Sequence, residues 1–361
     1  MTENNTPTPQ SGARICVPCR LGAIGAVVLV LAGGFAYTGG WLAPHRLSTR
    51  AIVDQFQRND GLHEGYRRNH AKGVCVEGYF ESNGAAAPLS KAGVFAAGRT
   101  PVIGRLAIPG GNPQAPDGSV PIRSFALMFK QADGQQWRTG MNSVPLFPVH
   151  TPEQFYQLLQ ASQPDLTTHK PDPAKIKAFA EANPALGAFQ GWVKGHPPSS
   201  GFANAAYYSV NAFYLVDAAG KRQPVRWSVQ PELPYAPVAS AEKGEASFLA
   251  ADLTQQLAAG PLRWRLMLTL GAAGDPTDDA TQAWPDDRKQ VDAGTLVIER
   301  ASSQADGGVC RDVNFDPTVL PAGIVASNDP LLAARSAAYA VSYQRRTREE
   351  AIDGNAQKSS Q

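Results

Sequence analysis

The chain has 361 residues, 43% hydrophobic and 18% charged, which is ample apolar material for one large core. A formal charge of +2, with no concentrated basic stripe and no acidic run, argues against a nucleic-acid partner and against a solvating tail. Four cysteines are too few for a disulfide scaffold, and 34 glycines with 29 prolines predict long loops.

Residues 1–20 form a polar stretch that cannot bury a core. Leu21 to Leu42 then runs without a charge, and a helix of that length rises roughly 30 Å, one hydrocarbon thickness. The reading is a single transmembrane helix over 21–42, with the short tail cytoplasmic and the rest of the chain periplasmic or otherwise extracytoplasmic. A cleaved signal peptide is the alternative, with Gly34-Phe35-Ala36 as its cleavage site, but the apolar run continues past them. Cys16 and Cys19 make a lone CxxC before the span, read as having no essential role.

Beyond residue 43 the apolar positions Ala51, Ile52 and Phe56 predict an amphipathic helix with Asp60-Gly61 as its stop. Four β-like runs follow: VCVEGYFES, GRLAIP, SFALMFK and MNSVPLFPV. Thr151–Ser162 opens on a Thr-Pro cap and predicts a helix, as does Ala174–Ala182. AAYYSVNAFYLVD and PVRWSV read as strands, Phe248–Leu257 as a helix, and RWRLMLTL and GTLVIER as strands. An Asn-Asp-Pro start and a periodic apolar face predict a last helix from Asp329 to about Ala351. Many strands without a βαβ rhythm indicate an α+β fold, a barrel-like sheet with helices around it, in one domain over 43–350 followed by a tail over 351–361.

Two places carry chemistry. On the last helix, Arg335, Tyr339, Ser342 and Arg346 are spaced four, three and four apart, which puts them on one face. A guanidinium one turn from a tyrosine favours the phenolate, a hard axial ligand for ferric iron. This pattern is also met in ordinary surface pairs. In the first strand, read from RRNHAKGVCVEGYF, Arg67-x-x-His70 places an imidazole that can act as acid and base. His45, His63, His150, His169 and His196 have no metal-ligand spacing. For Cys75 and Cys310 a disulfide and two buried free thiols both stay open.

Arg67-x-x-His70-Ala71-Lys72-Gly73 through Gly78-Tyr79-Phe80 resembles the distal-histidine strand of haem catalases. TPVIGRLAIPGGNPQAPDGSVPIRSFALMF and Asn142-Ser143-Val144-Pro145-Leu146-Phe147 resemble the segments that follow in that family, and Phe315-Asp316-Pro317 to Leu332 resembles the run into its proximal helix. The match is collinear from about residue 66 to 346 and loosest over 160–260. It implies a catalase-like antiparallel β-barrel core with surrounding helices. It implies haem, of type b, with Tyr339 as iron ligand held by Arg335, and His70 with Asn142 over the other face. Arg67, Arg105 and Arg346 match propionate-binding positions, and Phe147 and Phe155 match aromatics that pack on the macrocycle.

The chain departs from the family in three ways. Ala107 stands where a serine orients the distal histidine, Pro121 stands where an aspartate lies near the peroxide channel, and the chain ends shortly after Arg346. Each departure points away from disproportionation of two peroxides. The expectation is a membrane-anchored peroxidase of the reduced, catalase-related branch. It would reduce hydrogen peroxide or organic hydroperoxides with a small organic electron donor and keep residual catalase activity. A true catalase, a hydroperoxide-rearranging haem enzyme and a non-catalytic haem-binding protein are the alternatives.

Overall fold

The computed structural model describes residues 17–38, 47–239, 245–305 and 307–359. The chain divides into two compact units, residues 1–48 and 49–361. In the first, α1 (Val17–Thr38) contains a stretch, Pro18–Tyr37, long and apolar enough to cross a membrane; a signal sequence has the same length and composition. Residues 1–16 of the expected tail over 1–20, Cys16 among them, and the last residues of the expected span, 39–42, lie outside the described residues; residues 17–20, expected in the tail, form the first turn of α1.

The second unit is built on eight antiparallel strands closed into a barrel. In spatial order they are β7 (Arg222–Pro231), β5 (Tyr207–Tyr208), β4 (Gln136–Asn142), β3 (Ser124–Lys130), β2 (Gly98–Ala107), β1 (Gly73–Ser82), β9 (Gln290–Ser303) and β8 (Leu262–Leu270), and β8 pairs back onto β7. β6 (Phe213–Val216) and β10 (Ile324–Ala326) extend the sheet beside β7. Closure leaves these eight strands no open edge.

Strand alternation divides the side chains between two faces. Phe80, Leu106, Phe125, Phe129, Trp137, Trp227 and Trp264 fill one continuous buried core inside the barrel. On the same strands Arg105, Ala107, Ala126, Gly140 and Asn142 fall on the outer face. Helices α2 (Thr49–Asp60), α3 (Pro152–Ala161), α4 (Pro173–Ala182) and α5 (Ala185–Gly195) lie outside the barrel, with α6 (Phe248–Ala259) and α7 (Pro330–Ser359). α3 begins at a full capping box between Thr151 and Gln154, as the Thr-Pro start implied.

Several elements differ from expectation. MNSVPLFPV is not a strand: β4 ends at Asn142, because Pro145 and Pro148 cannot donate to a ladder, and it begins earlier, after the tight turn at Asp133-Gly134. AAYYSVNAFYLVD breaks into β5 and β6 around Val210. The glycine-rich α5 and the short β10 have no counterpart in the sequence reading, and α7 runs past Ala351 to Ser359. His70 precedes β1 rather than lying in it.

Gly78 sits at a register shift between β1 and β9, where an added Cβ would fall 1.9 Å from the Val297 carbonyl oxygen. Closed on both sides, the strand has nowhere to move. Gly78→Ala should therefore lower stability by about 1–3 kcal/mol or more. Gly187→Ala, on exposed helix with open space, should raise it by about 0.5–1 kcal/mol. Urea denaturation of the two variants checks both signs.

Candidate functional site

A cavity of about 590 Å³ lies against the outer face of β2, β3 and β4, walled by α2, α3, α7 and the loop before β1. Its volume is in the range of cofactor pockets. Every site residue expected from the sequence borders it: Arg67, His70, Arg105, Asn142, Phe147, Phe155, Arg335, Tyr339 and Arg346.

The wall carrying Tyr339 comes from α7, whose spacing brings Arg335, Tyr339, Ser342 and Arg346 to one side as expected. Opposite them β4 has no side chain at Gly140. A Cβ there would lie 3.0 Å from both Tyr339 Oη and Arg335 Nη2 and would push them back by a few tenths of an ångström, so glycine lets the pair sit close to the strand. Arg335 donates to the Gly140 carbonyl at 2.9 Å and to Asn211 Oδ1. Asn211 donates in turn to Asp329 Oδ2 at 2.7 Å, and Asp329 Oδ1 accepts the Leu331 N–H at the start of α7. Burial raises the Asp329 carboxyl, against the pull of Asn211, Leu331 and Arg335.

Asn211 is placed by an uncommon turn. Its N–H donates to the Ser209 carbonyl at 2.8 Å across Val210, whose φ is +65°. This is the rare γ-turn geometry, and a β-branched residue in it is strained. Neither Asn211 nor Gly140 was singled out in the sequence. A valine at positive φ leaves no composition signal, and a glycine in a strand marks only a close approach.

His70 is also left-handed, with φ +57°. Asn69 Oδ1 accepts the His70 N–H at 2.9 Å and the Gly110 N–H at 2.8 Å, and the Ala71 N–H donates to the Gly110 carbonyl at 2.8 Å. Strained backbone held by that many bonds is a feature of functional loops. The ring's Nδ1 is buried with no hydrogen-bond partner among the described residues. Burial first, then the Arg105, Arg335 and Arg67 charges, depress its pKa to about 3. His70 is thus a neutral imidazole at ordinary pH. Asn142 accepts the Ser124 hydroxyl at 2.7 Å through Oδ1, which leaves its amide nitrogen to donate.

Arg67, Arg105 and Arg346 gather at one end. Arg105 and Arg346 are 3% and 2% exposed. Arg105 passes over Gly73, where a Cβ would lie 2.6 Å from its Nη2. Burial and then repulsion from Arg346 lower the Arg67 pKa to about 9, and burial followed by repulsion from Arg67 and Arg346 lowers that of Arg105 well below its usual range. Among the described residues the only carboxylate within ion-pair distance of the three is Asp312, 3.6 Å from Arg346 and largely exposed. Arg346 Nε has no partner. At the other end Phe147 and Phe155 meet with ring centroids 5.4 Å apart, and Phe155 meets Phe56 edge-on at 5.8 Å.

Pro121 is exposed beside the cavity-lining Val120 and Ile122. The wall does hold one carboxylate the sequence did not suggest, Asp60 at the end of α2, which accepts the Gly111 N–H at 2.7 Å and is raised by burial.

Residues 38–353 match the family model of catalase. The chain belongs to the catalase family. It is 36% identical to a catalase-related peroxidase of Synechococcus elongatus over 91% of this chain and 95% of that protein. It is 29% identical to a catalase-related peroxidase of Mycolicibacterium paratuberculosis over 83% of this chain and 95% of that one. The barrel superimposes on a fungal catalase with a TM-score of 0.70 at 19% identity, covering 78% of this chain and 59% of the other. Catalase A of Saccharomyces cerevisiae gives a TM-score of 0.71 at 18% identity, with 78% and 61% covered. The chain thus spans about three fifths of those longer catalases.

A catalase-family chain of this kind is an oxidoreductase acting on peroxide. The family generally binds haem, and the cavity fits it. A cluster of guanidinium groups short of carboxylates calls for an anionic ligand. The rest of the wall is mainly apolar, with Asp60, Asn142 and Asn211 among its polar exceptions, a tyrosine on one side and a neutral imidazole on the other.

The depressed His70 pKa has a consequence for stability. Between about 3 and the ordinary 6.5 the unfolded chain binds a proton that the folded chain does not. The contribution is therefore complete above 6.5 and is lost as the pH falls toward 3. Urea titrations at pH 7 and pH 5 should show a loss of stability that is smaller in His70→Gln.

Proposed function

We propose that this chain is a haem-dependent peroxidase that reduces hydrogen peroxide or organic hydroperoxides with a small organic electron donor, with haem b as cofactor and residual catalase activity. The observation that carries the proposal is the pairing, in one cavity, of the Tyr339–Arg335 couple with the strained, neutral His70. Tyr339 would ligate the iron, with the Arg335 guanidinium beside it on the same helix face. Arg67, Arg105 and Arg346 would pair with the two propionates, and Phe147 and Phe155 would pack on the ring. When bound, haem would supply the two electrons that reduce the peroxide O–O bond, and the organic donor would return them. His70 would take a proton from one peroxide oxygen and give it to the departing one, so the leaving fragment would be water or an alcohol. Asn142 donates its amide N–H to the peroxide during that transfer.

Peroxidase is favoured over catalase because His70 Nδ1 has no partner, in keeping with alanine at position 107. The Ile108 backbone contacts the ring, but without a hydroxyl partner on Nδ1 the imidazole is less firmly oriented to position a second peroxide as reductant. The apolar helix supports a single-pass anchor with a cytoplasmic N-terminus, and a cleaved signal sequence would deliver the enzyme to the same side. The Cys75–Cys310 disulfide supports that extracytoplasmic placement.

The purified protein should show a high-spin ferric tyrosinate absorption spectrum, lost in Tyr339→Phe; absence of any haem in the wild type would overturn the proposal. His70→Ala should keep haem but lower kcat/KM for peroxide by about 10²- to 10⁴-fold.

Ala107→Ser should give the imidazole a partner and raise oxygen release relative to donor oxidation. Steady-state assays with and without an organic reductant measure that ratio, and wild-type oxygen release at the rate of ordinary catalases would count against the peroxidase assignment.

A further inference from the structure

The guanidinium cluster raises a question of mechanics. Like charges packed together separate unless something other than counter-charge holds them. Arg105 is held by Gln304 and the Ala71 carbonyl; for the other two cations the holding groups are backbone carbonyls from one short segment. Arg67 Nη2 donates to the carbonyls of Cys310, Arg311 and Val313 at 3.0, 3.1 and 2.9 Å. Arg346 Nη1 donates to the same Arg311 carbonyl. Residues 310–313 are thus an acceptor plate shared by two of the three cations.

The plate belongs to no helix or strand. It follows β9 through a series of turns: Gly308 to Ala305, Arg311 to Gly308, and Val313 to Cys310. Its link to the barrel is covalent. Cys310 is bonded to Cys75, both are fully buried, and the Cys310 N–H donates to Cys75 Sγ at 3.2 Å. Cys75 lies on β1 directly across from Arg105 on β2. One bond therefore ties the plate that holds two of the cations to the strand pair that carries the third.

We propose that the Cys75–Cys310 disulfide is a positioning device for the anion clamp: it fixes segment 310–313 so that Arg67 and Arg346 face the carboxylates of a tetrapyrrole, and cofactor retention depends on it. Cys75 and Cys310 touch no reacting group and act through the arginines. The proposal rests on the haem reading above and adds to it a structural requirement for haem retention.

The experiment measures haem release from the loaded full-length protein into excess apomyoglobin, by the change in the visible spectrum. Wild type, Cys75→Ser/Cys310→Ser, Arg67→Lys and the triple variant form a cycle. Loss of the bridge should speed release by about 10- to 100-fold, the size found when groups that orient a ligand are removed. Arg67→Lys, which keeps the charge and loses the three carbonyl bonds, should also speed release, and in the bridge-free background it should add little. General destabilisation by an opened cross-link would instead leave the two effects multiplicative.

Release from the bridge-free protein within twofold of wild type would overturn the proposal while leaving the haem assignment intact. So would a multiplicative cycle. A wild type that takes up no haem would overturn the assignment itself. Should the bridge-free protein fail to fold, Arg67→Lys alone decides, since release unchanged from wild type would show that the plate does not position the clamp.

Discussion

Three guanidinium groups packed beside one another on the outside of a barrel are held against mutual repulsion, and much of the second unit is arranged around that. Arg105 is delivered by a strand and passes over a glycine that cannot obstruct it. Arg346 is delivered by the long C-terminal helix, and Arg67 by the loop that also carries His70. Backbone carbonyls, a glutamine and one exposed aspartate supply the acceptors. A partial set of neutral acceptors fixes position without cancelling charge, so the site retains a strong attraction for an anion. Burial, with two of these cations, Arg105 and Arg67, and the Arg335 guanidinium of the other wall, keeps His70 uncharged. Charge at one end and the proton affinity of the imidazole on the other wall are therefore electrostatically coupled.

The barrel's contribution is separation. Its interior is apolar and aromatic, with Phe129 and Trp137 stacked at 4.5 Å and Trp227 edge-on to Trp137 at 5.0 Å. Of that core Phe125 and Met141 border the cavity, and neither brings a titratable group to it. Alternation along β2 and β4 puts the apolar residues inside and Arg105, Gly140 and Asn142 outside. A slip of one residue in either strand would exchange the two sets, so the packed interior fixes the register of the site.

Much of this was legible in the sequence, and the limits have physical reasons. The α7 face follows from helical spacing, and β1, β3, β7, β8 and β9 follow from their apolar runs. The boundaries of β4 were misplaced because a run that looks apolar carries two prolines that cannot join a ladder. The break at Val210 is a backbone strain that composition does not encode. Asn69 and Asn211, which hold His70 and Arg335, are ordinary polar residues until the loops close. The pairing of Cys75 with Cys310 was open because the two are 235 residues apart in sequence and neighbours only in the folded barrel.

The loop that carries His70 is itself bonded to the helix that carries Tyr339. The Arg68 N–H donates to Ser342 Oγ at 3.1 Å, and its guanidinium pairs with Glu349 one further stretch along α7. Both jaws of the slot are thus indexed to the same rigid rod, as in a calliper. The thickness of ligand the slot admits is set along α7 as much as by the barrel. Glu349, which does not line the cavity, takes part in setting that gauge.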